Sequence, residues 1–242
     1  MRFVLIWASR WKIKLKSHSK IRMTLFFLRK DLDLIYLFLN MNHLAHVFLS
    51  FEDSSILVGN MLGDFYKSKK VIQKLPQAIQ NGIQLHRHID SFTDSHPIVF
   101  QSKARVRKQF GKYAPVAVDV YYDYCLSKHW DLYSEYTLQE TANFAYKALM
   151  KEEQWLHPKL LKYLPVMIER NWLTSYKNYE GIQFAFNSLA KRASYDKNFH
   201  LADNILKELE SELLADFDKF FPTLIKSSRD QYEILKKKWK IG

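Results

Sequence analysis

Cysteine is almost missing from this sequence: Cys125 is the only one in 242 residues. An internal disulfide is therefore excluded, as is any Cys-x-x-Cys metal or redox site, and a reducing cytoplasmic setting is expected. Glycine and proline are scarce too, six of each. So few turn residues cannot punctuate a protein of many short strands, and helices are left as the dominant element. No apolar run reaches the roughly 20 residues that span a bilayer. Thr24 to Asn40 comes nearest but is split by Arg29, Lys30, Asp31 and Asp33, so no transmembrane segment is expected. A secretory signal is not expected either, because the apolar stretch Phe3 to Ala8 precedes the basic run Arg10 to Lys20 instead of following it.

What is present is ample apolar material. Hydrophobic residues make up 48% of the chain and aromatics 15%, enough for the core of one ordinary domain. The formal charge is +12, but it is unevenly spread. Residues 1–40 carry nine Lys/Arg against Asp31 and Asp33, a net +7, which leaves +5 for residues 41–242. A moderately basic body suits an acidic protein partner at least as well as nucleic acid, and no recognised nucleic-acid-binding motif occurs. For residues 1–40 an upstream start is preferred, with Met41 the physiological first residue; a basic helix lying on a membrane surface is the competing explanation.

From Met41 onward the pattern is helical throughout. Asp53 and Ser54 suit an N-cap, with Ile56, Leu57, Met61 and Leu62 following at helical spacing to Phe65. Gly59 and Gly63 sit four apart on this helix. Each costs about 1 kcal/mol relative to alanine, so something must approach the backbone closely there. Pro76 can open a helix that stops before Pro97, and on it His86, Asp90 and Asp94 form one polar stripe. Another helix should begin after Pro115, with Asp119 and Asp123 again four apart. Further helices are expected over Leu138 to Met150, Pro158 to Tyr179 with a bend at Pro165, and Ile182 to Arg192. The last steps by four from Leu201 to Phe221, until Pro222 ends it. Residues 41–225 then form a single all-α domain, between an N-terminal extension (1–40) and a basic tail (226–242).

Three stretches carry a resemblance: Met41-Asn42-His43-Leu44-Ala45-His46, Gly59-Asn60-Met61-Leu62-Gly63-Asp64-Phe65, and Gly82-Ile83-Gln84-Leu85-His86-Arg87-His88-Ile89-Asp90. Phe92 to Pro97, Asp119 to Asp123, Leu126 to Trp130 and Asn171 to Tyr176 continue it. In order and spacing these stretches resemble the acyl carrier protein phosphodiesterase family, which is similar in turn to the all-α HD-domain phosphohydrolases. The resemblance implies hydrolysis of holo-acyl carrier protein to the apo form and 4′-phosphopantetheine, with manganese, or magnesium, as cofactor. It departs at one point: where the family usually has Asp-His-Phe-Leu, this chain has Asp123-Tyr124-Cys125-Leu126. Tyr124 is off the Asp119/Asp123 stripe, and a role in packing, or in supporting a ligand, is expected for it.

A phosphodiester is an anion that repels nucleophiles, and a divalent cation relieves that repulsion while acidifying water. Carboxylates with one or two imidazoles suit Mn²⁺ or Mg²⁺. His46, Asp64, His86, Asp90 and Asp123 are the candidate ligands, in agreement with the family's pattern. Plainer explanations exist: His46 as a hydrogen-bonded core histidine, Asp64 as a solvated carboxylate near a helix end, and His86 with Asp90 as a surface ion pair contributing about 0.3–0.5 kcal/mol. Asp94 and Asp119 could ligate, orient a histidine or cap a loop; they and Arg87 are assigned to catalysis. Arg87, and further along Arg192, are candidates to hold the phosphate, while His96 before Pro97 is expected to be structural. Lys103, Arg105, Arg107, Lys108 and Lys112 form a basic cluster read as a docking patch for the acidic carrier protein. Two competing functions are an HD-like hydrolase of a nucleotide or other small diester, and a basic helical nucleic-acid binder.

Overall fold

A computed structural model describes residues 43–190 and 198–240. The extension 1–40 and Arg192 lie outside the described residues. Among the described residues there are α-helices and three 3₁₀ turns but no strand. The helices are α1 (His43–Phe48), α2 (Ser54–Leu62), α3 (Lys69–Ile72), α4 (Gln77–Ser95), α5 (Pro97–Phe110), α6 (Ala114–Lys128), α7 (Trp130–Tyr133), α8 (Leu138–Lys151), α9 (Pro158–Glu169), α10 (Trp172–Ser175), α11 (Tyr179–Ala190) and α12 (Ala202–Lys240).

Local chemistry explains most of the starts. The Asp53 carboxylate accepts from the Ile56 N–H at 3.2 Å to cap α2. Thr137 and Glu140 form a capping box on α8. His96 caps α5 through its ring, which accepts from the Ile98 N–H, and Pro97 occupies the first turn. His96 is structural, as its place before a proline suggests.

Pro165 lies inside α9, and the helix expected over 158–179 is divided at Asn171, whose left-handed backbone (φ 46°) stops it. Pro222 does not end the last helix, which runs for 39 residues to Lys240. A proline inside a helix costs about 3 kcal/mol. Leu224, Tyr232 and Leu235 are all buried beyond it, and each buried side chain of this size contributes about 1.5–3 kcal/mol, so burial outweighs the break. The helix thus continues past Pro222 and stays packed as far as Leu235.

The centre of the molecule is the crossing of α2 and α4, with α12 against another side of α4. Its closeness is set by glycine: a Cβ on Gly59 would lie 2.1 Å from the Ile79 carbonyl oxygen, and one on Gly82 would lie 2.2 Å from that of Ile56. The two backbones touch, which is the close approach that the glycine spacing implied. The α1–α2 link turns through two left-handed residues, Phe51 (φ 52°) and Glu52 (φ 61°). The Arg229 guanidinium of α12 stacks 3.6 Å from the Phe51 ring centre and holds that turn. α1 is thereby laid against α2 and α6 with His46 on the side of α4.

Candidate metal centre

The site is built where α1, α2 and α4 meet. His86 projects from α4 into a space that exists only because residue 63 is glycine: a Cβ there would lie 2.1 Å from the His86 ring. One turn on, Asp90 reaches back across the same gap. Its Oδ2 is 3.1 Å from His86 Nε2 and its Oδ1 is 3.3 Å from His46 Nε2. The two imidazoles stack with centres 4.1 Å apart. Asp64, just past the end of α2, closes the third side with Oδ1 3.7 Å from His86 Nε2. Ligand atoms of His46, His86 and Asp90 all lie within 4.8 Å of one another, a spacing a single cation can bridge.

A layer behind the cluster decides which nitrogen faces forward. The Asn60 amide nitrogen donates to the His46 carbonyl (2.9 Å) and to Ser50 Oγ (3.1 Å), so its oxygen is the acceptor turned toward His46 Nδ1 at 2.7 Å. Nδ1 therefore carries the proton, and the Nε2 lone pair points at the cluster. Asn60 sits within a quoted motif, but sequence reasoning assigned it no part; its signal was an amide on an otherwise apolar helix face. His46 Nε2, His86 Nε2 and Asp64 Oδ2 are buried and make no aligned hydrogen bond. Buried polar atoms normally find partners; the two imidazole nitrogens, which with an Asp90 oxygen lie within 4.8 Å of one another, fit the donor set of a divalent ion, and Asp64 stands beside that group of three.

The charges agree. Burial lowers the affinity of His86 for a proton, but Asp64 and Asp90 outweigh it and hold the imidazole at about 9. Burial works against the Asp90 carboxylate as well, yet His46 and His86 keep it far below the ordinary range. The concentration of negative charge here would be relieved by a cation as well as by protons.

The remaining candidates are placed differently. Asp123 is fully buried, and both its oxygens accept backbone amides at 3.0 Å, Oδ2 from Leu44 and Oδ1 from Ala45. It caps α1, the helix that carries His46, and lies outside the three-residue cluster. Asp119 is half-buried. Burial raises its carboxyl to about 7, opposed by Lys103 and reinforced by Asp94, Asp90 and Asp64, so it stands within reach of the centre's charge. Arg87 is exposed and donates to the Tyr66 carbonyl at 3.2 Å, tying α4 to the segment that follows Asp64. Tyr124 points away from the centre: its hydroxyl donates to Glu210, and its ring stacks on Tyr179 at 5.6 Å.

The basic cluster on α5 is not an intact patch. Lys103 is buried with its ammonium 2.8 Å from Asp94, and Arg105 donates to Asp216 at 2.9 Å. Only Arg107, Lys108 and Lys112 of the five remain exposed. Both committed cations have acidic neighbours on elements that sequence spacing could not bring together.

Among the described residues, fold and site together define an all-α protein in which two buried histidines and a half-exposed aspartate form a group suited to a divalent cation, with Asp64 beside them. Comparison with known proteins makes the class specific. Residues 41–224 match the family model described as acyl carrier protein phosphodiesterase, and the chain belongs to that family. A protein named acyl carrier protein phosphodiesterase from Shigella boydii serotype 18 is 32% identical over 170 residues, covering 66% of this chain and 88% of its own. One of the same name from Escherichia coli O45:K1 is 32% identical over 153 residues, covering 63% and 79%. No solved structure matches the chain.

Proposed function

We propose that this chain hydrolyses the phosphodiester joining 4′-phosphopantetheine to holo-acyl carrier protein, with Mn²⁺ or Mg²⁺ held by His46, Asp64, His86 and Asp90. The observation that carries the reading is that ligand atoms of His46, His86 and Asp90 lie within 4.8 Å of one another in a chain of this family. A divalent ion supplies charge neutralisation at the phosphodiester and acidifies water. The protein's own residues do the rest. Asn60 holds His46 in the tautomer that presents Nε2, and Asp90 spans the two imidazoles. Asp123 fixes the start of α1 and thereby the position of His46. Asp119, whose carboxyl burial raises to about 7, is assigned to accept the proton of the attacking water, and Asp94 holds the Lys103 ammonium at 2.8 Å. Arg87 spends one N–H on Tyr66, and its remaining donors are assigned to phosphate oxygens.

No described helix is long and apolar enough to cross a membrane. A cytoplasmic setting suits this substrate and the free, buried thiol of Cys125. The test is direct: holo-carrier protein is incubated with the enzyme and Mn²⁺, and its mass is followed. The expected outcome is loss of the phosphopantetheine group, abolished by chelator. An unchanged carrier protein together with hydrolysis of nucleotides would favour an HD-like small-diester hydrolase instead.

A further inference from the structure

The bond to be cut joins the arm directly to a side chain of the carrier protein, so that protein's surface must come against the rim of the centre itself. Docking cations must therefore adjoin the cluster. One segment does. From Lys67 to Lys74 the chain presents Lys67, Lys69, Lys70 and Lys74, all exposed, with no acidic residue among the eight. The strip starts at the site: Lys67 Nζ lies 3.5 Å from Asp64 Oδ1, the same oxygen that faces His86. Among the described residues Lys69, Lys70 and Lys74 make no ion pair. Val71, 43% exposed, sets an apolar side chain in their midst.

The segment is also anchored. Arg87 holds the Tyr66 carbonyl, the Tyr66 hydroxyl donates to the Trp155 carbonyl at 3.3 Å, and Phe65 stacks on His157 at 5.3 Å. Its lysines are consequently displayed from a fixed base. By contrast, on α5 Lys103 is paired with Asp94 and Arg105 with Asp216, and the exposed Arg107 and Lys108 lie about one turn further along.

We infer that Lys67–Lys74 is the surface on which the acidic carrier protein docks, its carboxylates on Lys69, Lys70 and Lys74 and an apolar contact on Val71. The inference rests on the phosphodiesterase reading above. Rim charges of this kind act mainly on association and its salt dependence.

The test compares the double variant Lys69→Glu/Lys70→Glu with Arg107→Glu/Lys108→Glu. Each is assayed with Mn²⁺ on holo-carrier protein and on bis(4-nitrophenyl) phosphate, and binding of apo-carrier protein is titrated separately by calorimetry. Reversal at 69 and 70 should raise KM for holo-carrier protein about ten-fold or more, flatten its salt dependence and weaken apo-carrier binding to match. Small-diester hydrolysis should stay at the wild-type rate, and the α5 variant should resemble wild type throughout. Unchanged carrier binding in the 69/70 variant, or an equal loss in the α5 variant, would overturn the docking surface while wild-type activity upheld the phosphodiesterase reading. Wild-type protein that leaves holo-carrier protein intact would overturn that reading itself, and the docking surface with it.

Discussion

Two acidic helix faces look alike in sequence and do different work in the molecule. On α4, His86 and Asp90 four residues apart meet His46 and Asp64 in a gap kept open by Gly63. On α6, Asp119 and Asp123 have the same spacing, but Asp123 gives both oxygens to backbone amides of α1. The partner decides the role. A carboxylate facing imidazoles with unaligned nitrogens is available to a cation, whereas one saturated by two amides is a cap that positions its neighbour. The same comparison separates the basic segments: Lys103 and Arg105 are paired with Asp94 and Asp216, while Lys69, Lys70 and Lys74 make no ion pair among the described residues.

The sharpest way to break the contrast is at its α4 end. Asp90→Ala removes the residue that spans both imidazoles and should lower Mn²⁺-dependent hydrolysis by about 10³-fold or more, with metal affinity falling alongside. Loss of turnover with metal affinity intact would take Asp90 out of the ligand set. Gly63→Ala leaves every ligand in place but drives a methyl into the His86 ring, whose nearest atom would be 2.1 Å away. Because small misplacements at a reacting centre cost about 10²-fold, a loss of that order is expected with a smaller change in melting temperature. A fully active alanine variant would show that the gap tolerates a side chain.

At the α6 end the expected effect is on stability. Asp123→Asn keeps one acceptor and turns an NH₂ group toward an α1 amide, so chemical denaturation should show a loss of about 1–3 kcal/mol. The smallest change is expected from Tyr124→Phe. It removes one hydrogen bond to Glu210, which keeps its bond from Tyr179 at 2.8 Å, so about 0.5–1.5 kcal/mol of stability is lost and turnover is retained. A large fall in turnover would instead give the Tyr124 position a catalytic part.

Much of this is legible in the sequence itself. The i, i+4 stripe on α4 places His86 and Asp90 on one face by helical geometry alone, and the glycine spacing on α2 announced a close approach, met by Gly82 and the His86 ring. What spacing cannot supply is the partner from a distant element. The amides of Leu44 and Ala45 lie 79 and 78 residues from Asp123, and Asp216 lies 111 from Arg105. The continuation past Pro222 was hidden for a related reason: a local helix-breaking rule was outweighed by burial of Leu224, Tyr232 and Leu235 in a core that only the folded chain assembles.

The most direct measurement is a calorimetric titration of Mn²⁺ into chelator-treated protein, comparing wild type, Asp90→Ala and Asp123→Asn under conditions where all three are folded. Wild type and Asp123→Asn should bind with similar affinity, and Asp90→Ala should lose binding by at least about 10²-fold. Binding that survives in Asp90→Ala and disappears in Asp123→Asn would contradict the account and move the metal to the α6 face.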